Sequence, residues 1–165
     1  MYSELEQYFE NIAKNHISIN HTATNKHFFR IDVEEVLTRI TTKVNYPFLS
    51  LERAEFMLAG PNNDNVSQQR TVALMYIDKY AEGDYDAINT IYDLSEKVAQ
   101  DIVNRLLYDM ETGVQPSILR GFNVNTVNVQ HLPLHPTNNH TGVRITLTLD
   151  SKYNRTIDKS KWKDL

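Results

Sequence analysis

GDYDAINTIYDLSEKVAQDIVNRLLYDMETG, residues 83–113, is the stretch whose reading decides the fold class. Ile88, Ile91, Tyr92, Val98, Ala99, Ile102, Val103, Leu106 and Met110 recur at three- and four-residue spacing. That rhythm lines them along one side of a helix with about 3.6 residues per turn. Asp84 and Asp86 stand where the positive end of the helix dipole favours anions. Gly113 suits the position just past a helix C-terminus, where a left-handed backbone is common. The spacing predicts one long amphipathic helix over 84–112. Its other side carries Asp93, Glu96, Asp101 and Asp109 against Lys97 and Arg105, the composition of a solvated face.

On either side of this helix the period drops towards two. Downstream, Gly142 opens a segment in which Val143, Ile145, Leu147 and Leu149 point one way and Arg144, Thr146, Thr148 and Asp150 the other. This predicts a strand with one face in the core. Residues 122–129 also alternate, but the apolar phase slips between Val124 and Val127, which predicts a bulge there. Upstream, Thr71 to Ile77 is apolar on both parities and suits a strand buried on both faces. Residues 48–58 read as a partner strand, joined to it through Gly60-Pro61-Asn62-Asn63-Asp64-Asn65, a strong turn signal.

Towards the N-terminus, Leu5, Tyr8, Phe9, Ile12 and Ala13 predict a helix over about residues 2–15. Residues 16–31 read as a long polar loop. Asp32 with Glu35 three residues on resembles a capping box. Val33, Val36, Leu37 and Ile40 then supply the stripe of a short second helix ending before Pro47. The expected architecture is α+β: a four-stranded, mainly antiparallel sheet over about 48–58, 69–80, 122–131 and 142–150. The long helix packs on one face, with the N-terminal helices beside it.

The chain has 165 residues, 41% of them hydrophobic, which fits a single domain over 1–165 able to bury a real core. Residues 151–165 form a polar tail, with Lys152, Arg155, Lys159, Lys161 and Lys163 around Trp162. Cysteine is absent, which excludes disulfides, a thiolate nucleophile and thiolate zinc sites. The net charge of −4 does not suit a protein whose main task is to coat nucleic acid. The acidic start Met1 to Glu6 lacks the apolar stretch of an export signal, and no apolar run approaches the ~20 residues of a membrane span. No membrane partner is expected.

Candidate chemistry centres on histidine. His16, His21 and His27 fall in the first loop; His131, His135 and His140 fall between the last two predicted strands. Zinc takes neutral imidazole nitrogens, and three with a water make a catalytic site. The spacings match no known zinc motif, however, and neither group lies on a helix that would fix its geometry. Ordinary loop histidines are the plainer reading, with no metal and no cofactor expected. The chain also lacks a Gly-x-Ser-x-Gly elbow and any phosphate-cradling glycine loop. Carboxylate pairs such as Glu34/Glu35 and Glu52/Glu55 carry no cleft signature. A non-enzymatic role follows, with contacts made by the polar loops and the exposed strand face. The candidate contact residues are Asn62, Asn63, Asp64, Asn65, His131, His135, His140, Arg144 and Trp162.

The order helix, helix, strand, strand, long helix, strand, strand resembles that of the small tail-terminator and neck proteins of tailed bacteriophages. The residues that carry the likeness are Asp32 to Leu37 running into Tyr46-Pro47-Phe48-Leu49, the helix over 84–112, and Gly142 to Leu147. The resemblance implies a virion protein, assembled in the bacterial cytoplasm, that forms a closed and expectedly hexameric ring. Such a ring caps the tail tube and meets the head connector, with packaged DNA nearby. Two other classes stay open: a metal-dependent enzyme using the histidine loops, and a cytosolic adaptor domain.

Overall fold

A computed structural model describes residues 2–30, 44–114, 116–134 and 139–164. The chain runs α1 (Tyr2–Asn15), β1 (Phe28–Phe29), β2 (Phe48–Leu51), β3 (Glu55–Ala59), β4 (Ser67–Lys79), α2 (Tyr85–Glu111), α3 (Pro116–Leu119), β5 (Asn128–His131) and β6 (His140–Lys152). Two short 3-10 turns lie at Val124–Thr126 and Lys159–Lys161. The class is α+β, as the periods predict. The expected second helix lies outside the described residues.

The sheet departs from the expected four antiparallel strands. Among the described residues it has six, in the order β1-β2-β4-β6-β5, with β3 added to the free half of the β4 edge beside β2. It is mixed, because β1 pairs with β2 in parallel. Its axis is the β4–β6 ladder, unbroken from Ser67↔Lys152 to Lys79↔His140. Gly142 allows this close approach, since a Cβ there would run into the Tyr76 carbonyl of β4.

The expected strand over 48–58 is two strands, and the reason is a bulge. Leu51 faces Leu74 and Glu55 faces Thr71, so Glu52, Arg53 and Ala54 stand opposite only Val72 and Ala73. One extra residue flips the side-chain parity. Leu49 and Leu51 point into the main core, and beyond the bulge that direction passes to Phe56 and Leu58. The bulge expected at 124–127 does not form. Phe122 makes an isolated bridge to Leu149, a 3-10 turn follows, and only then does β5 begin. Asn123 caps that turn by accepting from the Asn125 amide.

The main core lies on one face of the sheet. Val72, Leu74 and Tyr76 of β4 and Val143, Ile145, Leu147 and Leu149 of β6 meet Leu5, Tyr8, Phe9 and Ile12 of α1 and Val98, Ala99, Ile102 and Leu106 of α2. Asp84 caps α2 by accepting from the Ala87 amide at 2.9 Å, and Gly113 takes a left-handed φ of 72° past its end. Only part of α2 packs as expected: its first turns, through Ile88 and Ile91, gather around Tyr80 in a cluster of their own. The opposite face holds a second cluster of Phe48, Met75, Ile77 and Leu132. This explains why Val72 to Ile77 is apolar on both parities.

Polar groups lock the helices together. Tyr8 donates its hydroxyl to Asp109 at 2.9 Å, and Arg105 Nε donates to the same carboxylate at 2.8 Å. Asp109 is 1% exposed, so the pair of donors replaces the water it has lost. Burial, together with the carboxylate it faces, pushes the Tyr8 phenol far above its ordinary range. No helix among the described residues is long and apolar enough to cross a membrane.

Candidate interaction surface

The β3–β4 hairpin carries the surface that the rest of the fold leaves unexplained. Its tip is built by side chains that bond to their own backbone. Asn62 Oδ1 accepts from the amides of Asp64 and Asn65, both at 3.0 Å, which closes an Asx-type turn. Gly60 is required where the turn begins, because a Cβ would collide with the Asn65 carbonyl. Asp64 reaches outwards to Arg155 Nη1 at 3.0 Å, tying the tip to the C-terminal tail. The Tyr153 amide adds one further bond to the Val66 carbonyl. Between tip and tail runs an open groove of about 830 Å³ lined by Asp64, Asn65, Lys152, Tyr153 and Arg155.

Below the tip, β3 is apolar and bare. Phe56, Met57 and Leu58 are 59%, 63% and 50% exposed. Among the described residues the helices pack on β4 and β6, and none of Phe56, Met57 and Leu58 joins their core. Arg70 stacks over the Phe56 ring at 5.6 Å. Among the described residues β3 pairs only with β4, so its outer edge presents backbone donors and acceptors to solvent. Such an edge can take another strand by main-chain hydrogen bonding, with the apolar side chains supplying burial. Tyr153, Ile157 and Trp162 add exposed apolar surface in the tail. In sequence, Phe56-Met57-Leu58 is an apolar run without alternation directly before Gly60-Pro61, a pattern that does not distinguish a bare strand from a buried one.

The structure brings some of the expected contact residues together and separates others. Asn62, Asn63, Asp64 and Asn65 share the hairpin tip, although Asn62 is turned inwards to hold it. Trp162 follows the last 3-10 turn and is exposed. His131 sits on β5, its Nε2 2.8 Å from Glu96 Oε1 and its ring edge-on to Tyr92 at 4.4 Å. His140 begins β6 opposite Lys79 and is 1% exposed, so it belongs to the interior of the fold. His135 lies outside the described residues.

Arg144 does lie on the face away from the main core, as the alternation predicts. It is already engaged within the chain, however: Nε and Nη2 each sit 2.7 Å from an oxygen of Glu52. The bidentate pair bridges the register across Ala73, whose carbonyl also accepts from the Glu52 amide. Glu52 holds the Arg144 guanidinium pKa above its ordinary value. Reversing Arg144 would therefore not spare the fold, because a carboxylate there would face Glu52, itself 8% exposed. Glu52 was invisible as a partner because it lies 92 residues away.

The histidines of the first loop serve structure. His27 Nδ1 lies 2.6 Å from the Pro47 carbonyl, and His21 accepts backbone amides. Among the described residues no three His, Asp or Glu side chains converge as metal ligands do. Compared with known proteins, the chain matches no family model and no curated sequence.

Proposed function

We propose that the chain is an assembly subunit whose β3 edge and hairpin tip join it to neighbours. The setting we infer is the one its element order resembles: a ring in the neck or at the head-proximal end of a phage tail, ending the tail and joining it to the head connector. The observation that carries the reading is β3, a three-residue apolar run at least half exposed on a strand whose outer edge is unpaired among the described residues. Monomeric proteins usually protect such an edge with charge, proline or a covering loop. Here protection is left to a partner. The other edge of the sheet, β5, is exposed at all four residues. Two different edges left open among the described residues suit head-to-tail contacts, which generate a ring when the rotation closes.

The test is native mass spectrometry and sedimentation at micromolar concentration, comparing the wild-type chain with the double variant Phe56→Lys/Leu58→Lys. The wild type is expected to form an oligomer of one closed size. The variant is expected to stay monomeric with an unchanged circular dichroism spectrum, because both side chains lie outside the core. A wild-type chain that stays monomeric at every concentration, and also beside tail-tube and connector proteins, would remove the proposal.

A further inference from the structure

Among the ties that hold the loop between α1 and β1, two converge on one side-chain atom. His21 Nδ1 lies 3.0 Å from the backbone nitrogen of His27 and 3.1 Å from that of Phe28. Both are N–H donors, so Nδ1 accepts twice. An imidazole nitrogen accepts only when it carries no proton. The ring is thereby fixed as the neutral tautomer with its hydrogen on Nε2, which faces Glu10 Oε1 at 3.5 Å. Asn20, with a left-handed φ of 49°, turns the chain back so that the His21 amide reaches the Ala13 carbonyl at 3.1 Å. The ring is buried edge-on against Phe28.

What hangs from this knot is the start of β1. The His27 carbonyl accepts from the Leu49 amide at 2.8 Å, and Phe28 and Phe29 then pair with Leu49 and Ser50. One imidazole thus couples the end of α1 to the outer edge of β2. The charged and titratable groups around it are Glu10 and Lys14 from α1, which pair with each other at 2.7 Å, and His27 from the loop. His27 donates from Nδ1 to the Pro47 carbonyl, which can only accept. His21 cannot gain a proton on Nδ1 without losing both of its amide bonds.

We propose that His21 is a proton-operated latch: a proton on Nδ1 cancels both amide bonds, frees β1 from β2 and uncovers the edge of Phe48–Leu51 next to β3. Access of a partner strand to this lengthened edge rests on the reading of β3 as a contact strand; the latch itself does not. Burial lowers the proton affinity of His21 below the ordinary histidine range, with Glu10 opposing in part. The open form takes up its proton near the ordinary histidine pKa of about 6.5. The closed form is therefore fully favoured above pH ~6.5 and loses ground as pH falls below it. Opening gains up to about tenfold per pH unit until the closed form itself titrates.

Amide hydrogen exchange between pH 8 and pH 5, corrected for intrinsic rates, tests this at His27, Phe28 and Leu49, with Ile102 in α2 as the core reference. Protection at the three loop and edge amides is expected to fall as pH drops below about 6.5, by at most about tenfold per pH unit, while that of Ile102 holds. In His21→Asn the side-chain oxygen can accept the same amides without titrating, and the pH response should vanish. The ring ¹⁵N shifts of wild-type His21 should report the Nε2–H tautomer at pH 8 and titration below the ordinary range. This measurement decides alone if His21→Asn does not fold. An Nδ1–H tautomer, or a His21 titration with no change at Leu49, overturns the latch. So does an equal pH response in His21→Asn. Loss of protection without any change in oligomer size would leave the latch standing and refute the partner-access step.

Discussion

β4 is one strand in two environments. From Val72 to Ile77 every side chain is buried; from Ser67 to Thr71 none is. Both halves pair with β6 in one uninterrupted register, so backbone bonding does not separate them. What separates them is the covering: helices on one face and the Phe48 cluster on the other in the first case, β3 at the side and little above in the second. Ladder bonds can extend a sheet well past its core, yet they bury nothing on the faces. The surplus half, from Ser67 to Thr71, therefore draws little of its stability from burial.

The largest expected effect sets the scale of that contrast. Leu106→Ala, at a fully buried position between α2 and the sheet, should cost about 2–5 kcal/mol, read as a shift in the urea midpoint. Leu58→Ala on β3 should change stability by no more than about 0.5 kcal/mol, because the side chain stays half in water when the chain folds. Similar costs for the two would mean that the hairpin belongs to the cooperative core, and the division of β4 would collapse.

Next in size comes the buried pair on the second face. Arg144→Glu should destabilise the chain by about 2–3 kcal/mol, less than for a fully buried pair because Arg144 remains one-third exposed. Adding Glu52→Arg to it should recover part of the loss, since the two charges exchange places. If Arg144→Glu alone left the urea midpoint unchanged, the bidentate bridge would contribute nothing, and Arg144 would be free to serve a neighbour.

These two sites also mark how far the sequence could be read. The sequence announced the class, the long helix with its acidic start at Asp84 and Asp86 and its Gly113 end, and the pairing of 71–77 with the strand before it. It could not announce the insertion at 52–54, because a bulge is defined by the opposing strand: Leu51 and Glu55 look continuous until Leu74 and Thr71 stand across from them. The same holds for Glu52 and Arg144, joined across the sheet with no local signal. The phase slip at 124–127 was real, but a 3-10 turn resolved it in place of a bulge. Of the contact surface, the polar tip was legible from its turn residues. The bareness of Phe56 to Leu58 was not, since apolar runs usually read as core.

A smaller effect probes how the helices hold the covered half. Tyr8→Phe removes one of the two donors that satisfy Asp109 and should cost about 1–2 kcal/mol by equilibrium unfolding. Arg105 keeps its bond to the other oxygen, so the carboxylate is not left wholly unpaired. A neutral result would mean that water takes the place of the hydroxyl, and the junction of α1 with α2 would be wetter than its burial indicates.

The smallest expected effect lies at the far end of the surplus half. Asp64 and Arg155 are both exposed, and an ion pair in water gains little once its Coulomb energy is screened and two side chains are ordered. Asp64→Ala should therefore leave the urea midpoint within about 0.5 kcal/mol of wild type. Its consequence should be local. The pair links the hairpin tip to the tail, where the Tyr153 amide bond to Val66 is the next tie inwards. Without it the segment after Tyr153 should open more often, and limited trypsin digestion should cut after Arg155 a few-fold faster. Cleavage elsewhere, in the ladder between β4 and β6, should not change. An unchanged rate at Arg155 would show that the tail stays on the tip without its charges. The apolar side chains of Tyr153 and Ile157 would then be the tie, and the groove between tip and tail would be a packed feature of the hairpin, with no dependence on salt.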